Sequence, residues 1–167
     1  TRIATGLPER SIIRGFYDVR IFKQDLSGKT DSIHFNQTSG RAKLIRRPIS
    51  DRDLQYLTPQ EIADRNPILW SDESQMTGDE IHLTIDNEKE VLDSLLIYNN
   101  AFVIEQDTLD ATNFNQIKGL QLKGKFKGKR LETVDAIPNT EMVYYLYNDE
   151  TLELTGIDKA ICSALRL

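Results

Sequence analysis

The side chains in this chain that could do chemistry are few and poorly spaced for it. His34, His82 and Cys162 are its only imidazole and thiol groups. No His-x-x-x-His, Cys-x-x-Cys or His-Glu-x-x-His spacing occurs, so nothing sets two metal ligands on one turn or one helix face. Both histidines fall in segments that read as strands, where a packed or surface imidazole is the ordinary case. Cys162 stands beside Ile161, which suits an inert buried thiol better than a nucleophile. Carboxylate pairs are plentiful, at Asp51/Asp53, Asp72/Glu73 and Asp79/Glu80. Acid–base catalysis needs one carboxyl with a raised pKa in a dry pocket, and these pairs lie in polar loop sequence. Residues 86–90 lack the Asp-x-Asp-x-Asp-Gly spacing of a calcium loop. Gly124 and Gly128 miss the P-loop spacing. The expectation is a protein that is not an enzyme, with no catalytic residue, metal or cofactor.

The unusual local feature is basic. Lys118, Lys123, Lys125, Lys127, Lys129 and Arg130 follow one another around Phe126, with no acid before Glu132. Arg41, Lys43, Arg46 and Arg47 form a second cluster. Such stretches attract phosphate backbones without sequence preference, and an interleaved aromatic can stack on a base. Two other readings stand beside that one: a loop kept soluble by its lysines, or an arm that meets an acidic partner. Acidic partners exist within the chain itself, because its net charge of −5 hides a segregation. Residues 1–47 carry ten Lys/Arg against four Asp/Glu, and 48–113 carry three against fifteen. Residues 114–130 then carry six against none, and 131–167 two against seven. Sorted blocks suit docking between copies or with two different neighbours. Chance clustering on solvated loops is the plainer account.

The elements that must position these groups are mostly strands. Ile13, Gly15, Tyr17, Val19 and Ile21 alternate with Arg14, Phe16, Asp18 and Arg20, a period of two. Ser27-Gly28-Lys29 reads as a turn, 32–36 as a strand, 37–40 as a turn and 42–45 as a third strand closed by Pro48. Ser50 then caps a short helix, and Thr58-Pro59-Gln60-Glu61 is a capping box with proline at the first helical position. Residues 68–70 and 81–85 read as strands. Residues 94–98 and 101–105 read as a hairpin about Asn99-Asn100, since asparagine tolerates positive φ. Residues 115–122 and 142–147 read as further strands, with 151–154 pairing back. Residues 156–167 read as a closing helix, with Ile157, Ile161, Ala164 and Leu165 on one face. The fold class is therefore mostly β: a small antiparallel barrel or sandwich with short helices, a protruding loop at 48–65 and a C-terminal helix.

A chain of 167 residues, 39% hydrophobic and 28% charged, fits one globular domain. Residues 1–113 form its core, and 114–167 a basic stretch, hairpin and helix packed on it or extending from it. No apolar run is long enough to span a membrane, so no membrane partner is expected. The start, Thr-Arg-Ile-Ala-Thr-Gly-Leu-Pro, shows no apolar leader, and the single cysteine fits a reducing compartment.

One pattern extends from Gly15 to Gln106. It comprises Gly15-Phe16-Tyr17-Asp18-Val19, strands at 32–35 and 42–47, and Pro48-Ile49-Ser50-Asp51-Arg52-Asp53-Leu54-Gln55-Tyr56-Leu57. Gly78-Asp79-Glu80-Ile81 and Ala101-Phe102-Val103-Ile104 follow. The pattern resembles the small head–tail connector proteins of tailed bacteriophages, called head-closure, collar or neck proteins. The resemblance implies a structural virion protein, assembled in the host bacterial cytoplasm into a homo-oligomeric ring of 12 or 6 copies. Such a ring lies between a portal or adaptor protein and the tail or tail-terminator protein, extends the channel and retains the packaged DNA. It makes Leu54, Leu57, Ile62, Arg46 and Arg47 candidates for the subunit or portal interface. Lys118, Lys123, Lys125, Phe126, Lys127, Lys129 and Arg130 become candidates for contact with DNA or an acidic partner. The alternatives are a tail-terminator ring and, from another class, a monomeric non-specific nucleic-acid-binding β-barrel.

Overall fold

A computed structural model describes residues 12–23, 26–71, 74–128 and 130–167. In chain order its elements are β1 (Ile12–Lys23), β2 (Leu26–Asn36), β3 (Arg41–Ile45), α1 (Asp51–Leu54) and α2 (Pro59–Ala63). Then come β4 (Ile68–Ser71), β5 (Ser74–Thr77), β6 (Glu80–Asp86), β7 (Val91–Gln106) and β8 (Phe114–Lys127). β9 (Arg130–Ile137), β10 (Thr140–Tyr147), β11 (Leu154–Cys162) and β12 (Leu165–Arg166) complete the chain. The expected class is borne out: the fold is antiparallel β with two short helices. Both helices start where their caps require. Ser50 Oγ accepts from the Asp53 N–H, and Thr58 and Glu61 close a full capping box.

Long strands that change partners halfway give the fold its shape. Residues 91–98 of β7 pair with β6, while 102–105 pair with β5. As a result β7, β5, β4, β2, β3 and β6 close into a barrel. β2 divides in the same way: 32–36 pair with β3 and 27–29 with β4. Residues 121–127 of β8 pair with β9, and 116–118 with β10. β1 follows β2 through the bend, with its register broken between Phe16 and Val19. The barrel is thus flattened into two walls joined along one corner. The front wall holds the first half of β1, the second half of β2, β3, β6, the first half of β7, the second half of β8, β9 and β12. The back wall holds the other halves with β4, β5, β10 and β11.

Positive φ marks the bends of β1 and β7. Tyr17 and Asp18 stand at 64° and 48°, and Asn99 and Asn100 at 56° and 51°. Asparagine takes this conformation at little cost, tyrosine at more. The expected hairpin at Asn99-Asn100 is therefore a bend inside one strand. The conformation of the two asparagines matches the expectation, but the flanking segments pair with β5 and β6 and not with each other. Three other readings change. Residues 27–29 lie in β2 and are not a turn. The basic stretch is strand through Lys127, followed by a β9 that the pattern did not suggest. Residues 154–162 are β11, not helix. A four-residue spacing such as Ile157/Ile161 puts side chains on one face of a strand as well as of a helix, and β-branched residues favour the strand.

The core lies between the walls. Leu44, Ile81, Ile97 and Leu122 from the front meet Leu69 and Met76 from the back, all fully buried. Gly78, where the chain passes from back to front, is required sterically, because a Cβ there would lie 2.3 Å from Ile97 Cγ2. β8 pairs with β7 from Ser94 to Gln106, so residues from 114 onward continue the same two walls. Ile97→Ala should cost about 2–5 kcal/mol in denaturant unfolding, as expected for a void in a packed core. Ile161→Ala, on the exposed edge, should stay within about 0.5 kcal/mol. Equal costs would refute this placement of the core.

Candidate functional site

Polar side chains hold the corner together. Asp31, buried where β2 bends, accepts from the Arg47 backbone N–H at 3.0 Å, Arg47 Nε at 3.3 Å and an Arg65 Nη at 2.7 Å. The Arg47 guanidinium also lies 3.9 Å over the Tyr17 ring, at the bend of β1. Burial pushes the Asp31 carboxyl up, but the Arg65 and Arg47 hydrogen bonds outweigh it and hold it below the usual range. Further along, Arg46 donates to Asn66 Oδ1 at 2.9 Å and lies 3.7 Å from Asp79. Asp79 accepts from Asn100 Nδ2 at 3.1 Å, and its N–H donates to the Asn99 carbonyl at 3.0 Å. Arg46 and Arg47, named for an interface, are thus engaged at the corner of their own chain. The segment between them and β4 carries α1 and α2, neither with a buried residue. Leu54 is exposed there, and Leu57 and Ile62 are half-buried.

The connections that lead from a strand of one wall to a strand of the other lie at this corner, at residues 46–67, 78–79, 138–139 and 163–164, beside the bends inside β1, β2, β7 and β8. At the opposite seam the described turns, 37–40, 87–90, 107–113 and 148–153, join strands of the same wall. The seam is narrow, with a hollow of about 20 Å³ lined by Leu26, Ile85, Leu92 and Phe126. Lys23 Nζ donates across it to the Glu90 carbonyl. At both ends of the sheet the apolar interior comes to the surface. Ile13 faces inward on β1 yet is 48% exposed, and Tyr144 and Leu146 on β10 are 40% and 45% exposed. Among the described residues no strand pairs with the far side of β1 or of β11. Such edges are open to strand addition.

Strand alternation splits the basic stretch. Lys118 projects from the back wall and pairs with Glu141 at 3.1 Å. Phe126 faces inward and packs on the core. Lys127 meets Glu132 at 3.3 Å. Lys129 and the side chain of Arg130 lie outside the described residues, as do Asp72, Glu73 and the first eleven residues. Lys123 and Lys125 project from the outer surface of the front wall. One rung across that surface reads Arg14, His34, Lys43 and His82 on β1, β2, β3 and β6. It continues through Leu96, Lys123, Asp135 and Arg166 on β7, β8, β9 and β12. The adjacent rung includes Asn36, Arg41, Thr84, Ser94, Lys125 and Thr133. His82 Nε2 meets Glu80, which Lys43 also reaches at 2.6 Å. Burial pushes the Glu80 carboxyl up, and the hydrogen bonds from Lys43 and His82 more than reverse it. No run of adjacent sequence reveals this surface, because its residues come from strands scattered along the chain. The clusters at 41–43 and 123–125 were its only local trace. Cys162 is half-buried on β11. Among the described residues no group of three His, Cys, Asp or Glu could hold a metal ion. Nor is any described helix long and apolar enough to cross a membrane.

No family model matches this chain, and no curated protein does. Among solved structures it is similar to LptH of Pseudomonas aeruginosa, the LptA-homologous periplasmic component of the conserved lipopolysaccharide transport device. The TM-score is 0.51 at 12% identity, over 83% of this chain and 95% of that one. At this identity the likeness concerns the fold. It overturns the phage-connector reading, and with it the ring, the portal, tail and packaged-DNA partners and the virion neck assembled in the cytoplasm. The tail-terminator and nucleic-acid-binding alternatives likewise find no support. The connector pattern rested on common residues at turns, caps and alternating strands, which antiparallel β folds of several kinds require.

The depressed Asp31 pKa has a testable sign. A carboxyl held below its unfolded value near 3.9 adds stability above that pH and loses it as pH falls through the folded value. Asp31→Asn should therefore lower the unfolding midpoint at pH 7, and the gap from wild type should shrink below about pH 4. A gap constant from pH 7 to pH 3 would show that Asp31 contributes no charge to the corner.

Proposed function

We propose that this chain is a carrier module, not a catalyst, of an envelope lipid-transport device of the lipopolysaccharide type, and that it takes acyl chains between its two walls. The observation that carries this reading is the apolar interior, which reaches the surface at both ends of a sheet whose edge strands lack a described partner. An interior of this form can continue from one β module into the next when strands add edge to edge. The likeness in fold to a periplasmic lipopolysaccharide-transport component supports the same class of cargo.

Entry would be at the seam. The two walls are covalently joined only at the corner, so parting Leu26 from Leu92 and Phe126 breaks apolar contacts but no strand pairing. The Lys23–Glu90 bridge is a single exposed hydrogen bond, which water can replace at small net cost. Closed, the seam keeps the apolar interior dry; opened, it offers a continuous slot.

Photo-crosslinking tests this directly. A photoreactive residue at Phe126 or Leu92 should label an acylated, phosphorylated glucosamine disaccharide presented in detergent micelles. The same residue at Trp70, on the outer surface of the back wall, should label it at least ~10-fold less, in line with the large transfer free energy of an acyl chain. Equal labelling at Trp70, or none at the seam, would refute acyl binding between the walls.

A further inference from the structure

The outer surface of the front wall points to a second site, one that does not depend on what enters between the walls. We infer that it binds a phosphate-bearing saccharide. In a chain of net charge −5, its two rungs gather Arg14, Arg41, Lys43, Lys123, Lys125 and Arg166 against Asp135, with Asp93 alongside at the bulge beside Ser94. Arg166 is taken by Asp135, and Lys43 by Glu80 of the next rung. Arg14 and Arg41 form no ion pair with a described residue, and Lys123 and Lys125 share the single carboxylate of Asp135 with Arg166. Cations gathered on one face in excess of its carboxylates repel, and a bound anion would remove that cost.

Shape and spacing narrow the ligand. The surface is hollowed: a cavity of about 590 Å³ runs past His34, Arg41, Lys43, Thr84, Ser94 and Lys123. At Leu96 and Lys123 it opens into a second hollow of about 600 Å³ with Ile137, Ala164 and Leu165 on its wall. Arg41 with the Glu80-bridged Lys43 is one cationic pair, and Lys123 with Lys125, the latter outside both hollows, is another. Three strand spacings, roughly 14 Å, separate the two pairs. Between them lies the Thr84 hydroxyl, free to meet a sugar hydroxyl, beside Ser94, whose Oγ donates to Asp93, and His82, whose Nε2 meets Glu80. Two phosphates at the ends of a short saccharide meet this arrangement, one on each pair. Neither rung carries a Phe, Tyr or Trp on which a base could stack, which disfavours single-stranded nucleic acid. The phosphorylated sugar can be free in solution or be the headgroup of a lipid; in the second case the apolar hollow takes the start of an acyl chain.

Titration calorimetry of the full chain with a de-acylated bis-phosphorylated glucosamine disaccharide tests the site, with the unphosphorylated disaccharide as control. Vesicles carrying the acylated form supply the lipid-borne arm. Phosphate-dependent binding should weaken at least ~10-fold in Arg41→Gln/Lys123→Gln, as expected for two lost charge-assisted contacts. Lys123→Arg/Lys125→Arg should keep it, which separates loss of charge from loss of fold. Binding of the soluble sugar assigns the site to the phosphorylated saccharide itself; binding to vesicles alone assigns it to a lipid headgroup. Equal affinity with and without phosphate, or an undiminished Arg41→Gln/Lys123→Gln double variant, would overturn the inference. Seam crosslinking at Phe126 is unaffected by these substitutions, so failure of this site and failure of acyl binding are read separately.

Discussion

The corner is the constraint on which the rest of this structure depends. β1, β2, β7 and β8 each pass from one wall to the other without ending, so each must bend sharply while its backbone groups stay paired. The bends expose polar atoms that need partners away from the ladder. Asp31, Asp79, Arg46, Arg47 and Arg65 supply them, drawn from the β2 bend, the 78–79 connection and the ends of the 46–67 segment. With the corner satisfied, the inner faces of both walls are brought together and the apolar layer closes.

From that geometry the two surfaces of interest follow. Because the walls are joined covalently along one line, the opposite seam depends on side-chain contacts, and the sheet ends on strands whose outer edges have no partner among the described residues. Because each strand alternates, the side chains left over by the core form rungs on the outside. On the front wall those rungs collect cations from β3, β8 and β12 along two adjoining hollows. The same pleat that buries Leu44, Ile81 and Leu122 therefore aims Lys43, His82 and Lys123 outward.

Much of the local structure was legible in the residues. Alternation located β3, β6 and β10, and capping chemistry located α1 and α2 at Ser50 and Thr58. Asn99-Asn100 was identified as a place of positive φ, which it is. What that conformation does there was not legible, since a tight hairpin turn and a corner inside one strand use the same backbone angles. Only the partners of residues 91–98 and 102–105 distinguish them, and those partners lie on β6 and β5. The closing segment failed for a similar reason. Ile157 and Ile161 fit a helix or a strand face, and pairing with β10 decided between them. The basic stretch was visible as composition, but its division among the back wall, the core and the front rungs was not.

The chain by itself determined that the protein is antiparallel β, where its helices are capped and which residues alternate, because periods of two and capping contacts act over a few residues. It also determined that ordinary catalytic and metal-binding spacings are missing from the sequence. Tertiary structure alone decided which wall each half-strand joins, and so where the seam, the open edges and the cationic hollow lie. Those features depend on pairing between segments tens of residues apart. Such pairing is selected by the burial of one shared interior and leaves no local pattern in the sequence.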